Sequence, residues 1–474
     1  MRTKLIFSVF VTLFGLQLAA QEDTPKNVLF IIVDDLRTAL PTYGNSQVVA
    51  PNITALSRRA VQFNNSFVNI PTCGASRASI LTGIRPTRDY YKNYKTRIDD
   101  DYPDAITLSE LLQSNGYTTI SNGKVSHHRD DKEETWDEVW RPNSVSTKDY
   151  LLPENIAANK LPHENNHPPV EKAAVSDDMY KDGKIANKTI ADLKKLKQSG
   201  KPFFLATGFL KPHLPFNAPT KYWEYYNRDD IKLPLNNKFP EKTFEQAGRW
   251  YELVKYKGIR AEGETGQRLS AVNFTMDTAM AKELIHGYYA CVSYVDAQIG
   301  KVLQALDDLG LSEDTMVIFT SDHGFSLMEH NRWSKHNLFK VENHVPLMIR
   351  VPGLSAVGAS NSFVEHIDLY PTICDVLGIE KPQQLEGRSL VENLTNPTLI
   401  TKSNAYSRYT NGDLYVSDKY FYSEWKYREN GNIIGRMLFD IEEDSLQMKN
   451  LSHLGAFEAV MDSLSNNLKQ KTIF

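Results

Sequence analysis

The chain has 474 residues, 24% of them charged and 41% hydrophobic, with a net charge of −4. That length exceeds what one hydrophobic core usually carries, so a large domain with a smaller one is expected. The near balance of charge excludes a nucleic-acid binder, which shows a basic excess, and the ordinary composition excludes a fibrous or disordered chain.

In chain order, Arg2 and Lys4 precede an apolar run from Leu5 to Leu18 that ends at Ala19-Ala20-Gln21. These are the three parts of a secretory signal, and the run is shorter than the ~20 residues a spanning helix needs. Residues 1–20 are therefore expected to direct export to the periplasm or medium, with no stable membrane anchor. Cys73, Cys291 and Cys374 are too few for a disulfide framework. The last two sit in apolar helical patterns and read as core fillers.

Val28-Leu-Phe-Ile-Ile-Val33 is apolar on both faces, which predicts a central strand of a parallel sheet, with Asp34 and Asp35 just past its end. Thr107-Leu-Ser-Glu110 predicts a capping box opening a helix that Asn115-Gly116 closes, and Tyr117 to Ile120 the next strand. The polar stretch from His128 to Asn187 lacks periodicity and reads as a long insertion. Phe203 to Thr207 and Met316 to Thr320 predict two more buried strands, before Lys211-Pro-His213 and Ser321-Asp-His-Gly324; a helix pattern runs between them from Met280 to about Leu309. Strands alternating with helices indicate an α/β sheet whose ligands gather at the carboxyl ends of the strands. After Gly378, alternating segments at Tyr415-Val and Tyr420-Phe-Tyr422 predict a small antiparallel sheet, dividing the mature chain into residues 21–380 and 381–474.

An adjacent carboxylate pair at a strand end suits Ca²⁺ or Mg²⁺, and Asp34-Asp35 with Asp322 fits that role, although Asp-Asp alone also reads as a capped turn. Cys73 alone reads equally as a buried thiol. Cys73-Gly-Ala-Ser-Arg-Ala-Ser-Ile-Leu-Thr-Gly83 resembles the sulfatase signature, and the order of carboxylate pair, cysteine and late Asp-His resembles that family as a whole. The likeness is nearest to its iduronate-2-sulfatase branch. It is carried by Asn27 to Arg37, Gly123-Lys-Val-Ser-His127, Phe203 to Phe216, Ser293-Tyr-Val-Asp296, Phe319 to Gly324, Glu329-His330, Trp333-Ser-Lys335, His344-Val-Pro-Leu347 and Leu438 to Leu451.

The resemblance implies an alkaline-phosphatase-like α/β fold, a large mixed sheet sandwiched by helices, with a smaller C-terminal antiparallel-sheet subdomain. It implies that a maturation enzyme oxidises Cys73 to formylglycine (3-oxoalanine), whose hydrate attacks sulfate esters with Arg77 in support. One Ca²⁺ would be held by Asp34, Asp35, residue 73, Asp322 and His323. Lys124 and Lys335 would bind sulfate oxygens, His213 would be the general acid and His127, beside His128, the base; His323 would ligate the metal or contact sulfate. Arg97 closes Arg88-Asp-Tyr-Tyr-Lys-Asn-Tyr-Lys-Thr-Arg97, a mixture of cations and aromatics suited to an acidic sugar or to an exposed loop. The implied substrate is a sulfated acidic polysaccharide, glycosaminoglycan or algal. Three departures stand out: Ala75 for the commoner proline, Met328 and Asn331 where the iduronate enzymes have glycines, and Ser126 for a bulky aromatic. The rivals are a phosphatase or phosphodiesterase of the same fold, which typically uses Ser or Thr with two Zn²⁺, and an inactive glycan-binding relative. Cys73 and the intact polar set speak against both.

Overall fold

A computed structural model describes residues 25–142, 148–161, 166–259, 269–353 and 356–471. The export signal expected at residues 1–20 lies outside these. The main sheet is built from β1 (Asn27–Val33), β2 (Val61–Phe67), β3 (Thr118–Gly123), β4 (Glu138–Trp140), β5 (Phe203–Phe209), β6 (Thr315–Ser321), β7 (Leu347–Arg350) and β8 (Gly358–Glu365). Their order across the sheet is β8-β2-β7-β6-β1-β5-β3-β4. From β6 to β4 every pairing is parallel, whereas β7 runs antiparallel to both neighbours, so the sheet is mixed.

Period-two geometry explains why the central strands are apolar throughout. Leu29, Ile31 and Val33 of β1 enter one core, together with Leu205 of β5 and Phe319 of β6. Val28, Phe30 and Ile32 enter the core on the opposite face, with Phe204 and Ile318. Helices close both faces: α3 (Lys181–Ser199) and α4 (Thr278–Asp308) on the first, α1 (Cys73–Thr82), α2 (Leu108–Ser114) and α5 (Leu369–Leu377) on the second. Each fully buried aliphatic or aromatic side chain contributes about 1.5–3 kcal/mol relative to exposure, so this two-sided burial rigidifies the strand ends that carry the polar residues. Cys291 and Cys374 are buried in these cores, as expected.

The capping box forms as predicted: Thr107 Oγ1 accepts from the Glu110 N–H at 3.1 Å, and Glu110 Oε2 from the Thr107 N–H. Helix α4 starts two residues earlier than its apolar pattern, because Asp277 caps it by accepting from the N–H groups of Ala279 and Met280. The stretch from 128 to 187 is not a featureless insertion. It contains edge strand β4, the helix Pro153–Asn159, the strand Val170–Ala173 and the first turns of α3. These elements are half-exposed or begin with buried polar residues such as Asp182, which hides their periodicity.

The C-terminal strands β9 (Asn404–Tyr409), β10 (Gly412–Ser417), β11 (Tyr420–Lys426) and β12 (Ile433–Asp440) form the antiparallel meander that the alternating segments predicted. One face, with Leu414, Val416 and Phe439, shares a core with Phe67, Phe339 and Phe363. The other, with Tyr415 and Tyr422, is covered by α6 (Glu458–Lys471) through Leu464 and Leu468. The hairpin between β9 and β10 is thereby held beside the nucleophile segment.

Candidate active site

Asp34 and Asp35 follow β1, Lys124 follows β3, and Asp322 and His323 follow β6, so the topology alone collects them at the carboxyl ends of parallel strands. Close approach of β3 and β5 tightens this end of the sheet. A Cβ on Gly208 would lie 2.0 Å from the Lys124 carbonyl oxygen, and one on Gly123 2.2 Å from the Gly208 oxygen, so neither position admits a side chain. Asp35 takes a left-handed φ of 64°, a conformation that costs a non-glycine residue free energy and concentrates at functional sites. Its N–H donates to Asp322 Oδ1 at 3.1 Å.

Cys73 begins α1, buried, with Sγ 3.1 Å from His323 Nε2. Burial, reinforced by Asp34, pushes its thiol well above the usual range, so as a thiol it is protonated and weakly nucleophilic at neutral pH. Arg77 lies one turn on. Its Nε donates to Asp322 Oδ2 at 2.9 Å, Nη2 approaches Asp34 Oδ1 at 3.4 Å, and Nη1 donates to the carbonyls of Lys124 and Val125. Lys124 Nζ pairs with Asp34, and Lys335 Nζ with Asp35 at 2.7 Å. Three buried carboxylates thus face three buried cations. Burial opposes ionisation of Asp34, but Lys124, His213 and Arg77 outweigh it and hold the carboxyl well below its ordinary value. Burial, with Asp34 alongside, raises Asp35 despite Lys335.

Ligand atoms of Asp34, Asp35, Cys73 and His323 all lie within 4.8 Å of one another. His323 Nδ1 is 3.0 Å from the Gly324 oxygen, which can only accept, so that nitrogen carries the proton and Nε2 turns its lone pair toward the group. Asp322 sits behind, Oδ2 3.6 Å from the same Nε2, with Oδ1 occupied by backbone N–H groups. Two of the four donor residues are carboxylates, joined by an imidazole and a thiol, and the carboxylate pair fits a hard dication.

His213 is fixed by Nδ1 at 2.6 Å from the Leu214 oxygen and Nε2 at 3.2 Å from Glu252 Oε1. Glu252 also lies 3.3 Å from Lys335 Nζ, and burial of its carboxyl is outweighed by Lys335 and His213, which hold it well below its ordinary value. Sequence reasoning missed this residue, which stands in an unremarkable Trp-Tyr-Glu stretch. It also missed Asp182, whose carboxylate accepts from the N–H groups of Leu210 and Lys211, both at 2.8 Å, and so anchors the His213 loop. His127 is held neutral, pushed down to about 2 by burial and Lys124, and its Nδ1 has no hydrogen-bond partner. Arg97 is not gathered into the cluster. It pairs with Asp130 at 3.0 Å and Asp99 at 3.7 Å at the surface. Asp296 of the Ser-Tyr-Val-Asp segment is structural, accepting from the N–H groups of Asn52 and Ile53 at the start of the helix Pro51–Ser57.

The profile of the Sulfatase family matches residues 26–379, three-quarters of the chain and every residue of this cluster. The chain belongs to the sulfatase family. The profile for the C-terminal part of N-sulphoglucosamine sulphohydrolase matches residues 328–473. Iduronate 2-sulfatase of Mus musculus is 34% identical over 420 residues, covering 80% of this chain and 74% of its own. Arylsulfatase K of Bos taurus is 28% identical over 95% of this chain and 82% of its own. Among solved structures, one in complex with its substrate D-glucosamine-2-N,6-O-disulfate superimposes with a TM-score of 0.76 at 20% identity, covering 94% of this chain and 97% of its own. A phosphonate monoester hydrolase from Silicibacter pomeroyi gives 0.74 at 22% identity, covering 94% of each chain. Fold alone therefore does not separate sulfate from phosphonate chemistry. The enzyme is a sulfuric ester hydrolase by family, with the alkaline-phosphatase-like architecture that the motifs implied.

Proposed function

We propose that this sulfatase is exported and removes sulfate from an acidic polysaccharide or its oligosaccharides, of iduronate-2-sulfate or algal ulvan type, with exo action on a terminal sugar. Its nucleophile would be formylglycine made from Cys73 by a maturation enzyme, and its metal one Ca²⁺ held by Asp34, Asp35, residue 73, Asp322 and His323. The observation that carries this reading is the placement of Cys73: a weakly nucleophilic thiol at a helix start, among hard carboxylates and three buried cations. A soft sulfur is the odd donor in that set, and oxygen at position 73 would complete it.

When present, hydrated formylglycine supplies the oxygen that attacks sulfur and Ca²⁺ polarises the ester. The chain's own groups account for the rest. Lys124 and Lys335 neutralise sulfate oxygens, and Arg77 fixes residue 73 and Asp322 in register. A sugar alkoxide is a poor leaving group, so a proton is needed at its oxygen. His213 commits Nδ1 to the Leu214 carbonyl and holds Nε2 beside Glu252, so the donated proton would come from Nε2 as it turns from Glu252 to the leaving oxygen. His127 is the base by resemblance for the proton whose removal expels sulfate, although the burial and Lys124 that keep it neutral oppose its protonation. Residues 21–380 would carry the catalysis and 381–474 the smaller subdomain.

Two measurements test this together. Peptide mass spectrometry should find formylglycine at position 73 in active protein, and chelation should abolish desulfation that Ca²⁺, not Zn²⁺, restores. A fully active preparation carrying only the thiol would falsify the nucleophile. Turnover of phosphonate monoesters above all sulfated sugars in a defined panel would favour the rival seen among the structural neighbours.

A further inference from the structure

His336, next to Lys335 in the chain, lines the first of two cavities that share the tip of the β9–β10 hairpin. His336 Nε2 meets Thr72 Oγ1 at 3.2 Å, so this ring touches the residue just before position 73. It stacks on Tyr251 at 4.9 Å and 17°, and leans on Tyr409 at 5.6 Å. These three rings, with Trp425, border a cavity of about 300 Å³. Thr410 and Asn411, at the tip of the β9–β10 hairpin, line this cavity and also the next, of about 260 Å³. The second cavity is walled by Arg88, Lys92, Arg408 and Arg428, and touches Ile70, three residues ahead of Cys73.

The basic compartment has an excess of cations. Buried Asp413 lies 3.9 Å from Arg88 and 3.5 Å from Arg408, and Asp89 3.3 Å from Arg428, so two carboxylates face four cations. The loop supplying Arg88 and Lys92 is clamped to the nucleophile helix. A Cβ on Gly74 would lie 2.4 Å from the Tyr94 carbonyl oxygen, an approach only glycine permits. The backbone that carries Arg88 and Lys92 is thus held close to residue 73. Aromatic faces next to hydroxyl-bearing residues suit a sugar ring, and clustered guanidinium groups suit carboxylate or sulfate.

We propose that this cleft is a second binding site: the aromatic compartment takes the sugar next to the one whose ester is cleaved, and Arg88, Lys92, Arg408 and Arg428 take that neighbour's anionic group, a carboxylate or a second sulfate. The inference rests on the sulfated-glycan reading and narrows it to oligosaccharides with an acidic neighbour.

The test is calorimetric binding to the full chain made without a maturation enzyme, so that Cys73 remains a thiol and no ester is cleaved. The probes are a chondroitin sulfate tetrasaccharide, its desulfated counterpart, which keeps only uronates, and neutral cellotetraose. The acidic probes should bind and weaken with salt, and cellotetraose should bind at least tenfold more weakly. Lys92 and Arg428 are exposed at the rim, so Lys92→Ser with Arg428→Ser should fold normally and bind the acidic probes roughly tenfold more weakly. Lys194→Ser with Lys197→Ser, a charge-matched pair on α3, should bind as wild type. Retention of the desulfated probe would assign the pocket to carboxylate, and its loss to sulfate. Equal binding of cellotetraose, no binding of either acidic probe, or an unchanged rim variant would overturn the site. Tight, rim-dependent binding by a protein that, after maturation, desulfates nothing would instead sink the functional reading and leave the site standing.

Discussion

At the ends of β1, β3 and β6 the charged groups are sealed from solvent and each is held by at least one opposite charge, whereas in the cleft beyond His336 the cations sit on loops and a hairpin with fewer carboxylates than they could use. The first arrangement is self-neutralised and rigid, as chemistry at one fixed atom requires. The second carries more cations than carboxylates, as recognition of an incoming anion favours. Position 73 lies where the two meet, through Thr72 on one side and His323 on the other.

The largest expected effects fall on the sealed region. Cys73→Ala should lose turnover entirely while the protein still folds, because the thiol contributes no ion pair; thermal unfolding and desulfation measured together check this. Arg77→Ala should differ by also costing stability. Removing one partner of a buried ionic cluster costs about 3–5 kcal/mol, since Asp34 and Asp322 remain buried. A stable Arg77→Ala protein with only reduced turnover would show that the guanidinium serves the reaction and not the fold.

His213→Ala comes next, and it separates proton donation from sulfate binding within one site. General acid catalysis is worth ~10²–10⁴-fold, and nitrophenolate leaves with little help, so kcat/KM should fall by that factor on sugar sulfates and much less on an aryl sulfate. Lys124→Ala and Lys335→Ala should weaken both substrates alike, because both present the same sulfate. Equal losses from His213→Ala would return it to sulfate binding or structure.

How legible these regions were in the sequence follows from how each is built. Strands buried on both faces must be apolar at every position, so β1, β5 and β6 show themselves in a few residues. The residues just past their ends are then located by topology alone. Glu252 and His336 obey no such rule. They reach the site through long connections whose local sequence carries no period, and Glu252 is identifiable only from its distances to His213 and Lys335. The start of α3 was hidden for a related reason: Asp182 is buried in its first turn because it holds the His213 loop, and a buried carboxylate spoils an amphipathic pattern.

A smaller effect concerns the seam between the main sheet and the C-terminal part. Glu365, at the end of β8, is buried beneath Arg85 and Lys402. Burial alone would raise its carboxyl, but these cations lower it to about 2 from an ordinary 4.5. A depressed pKa stabilises the fold above the unfolded value, so this contribution is complete above about pH 4.5 and is lost as pH falls toward 2. Its size is at most about 3 kcal/mol, offset in part by Asp368, which burial raises and which works in the opposite direction. Urea unfolding from pH 5 downward should therefore lose stability more steeply in wild type than in Glu365→Gln. Parallel acid limbs would remove the seam from the account.

The smallest net effect tests the loop from Met328 to Asn331, where the resemblance to the iduronate enzymes implies glycines. Met328 and Asn331 both adopt the left-handed backbone, at φ 83° and 54°, a conformation that suits glycine. Relieving such strain is worth roughly 1–2 kcal/mol, which by itself makes Met328→Gly stabilising. Burial argues the other way. The Met328 side chain is 4% exposed and belongs to the core under the first face of the sheet, and removing a buried methionine side chain typically costs about 2–5 kcal/mol. The cavity should outweigh the strain, giving a net destabilisation of about 1–3 kcal/mol, read as a lower urea midpoint at unchanged slope. A more stable Met328→Gly protein would mean that the methionine packs poorly and that the strained backbone dominates this loop.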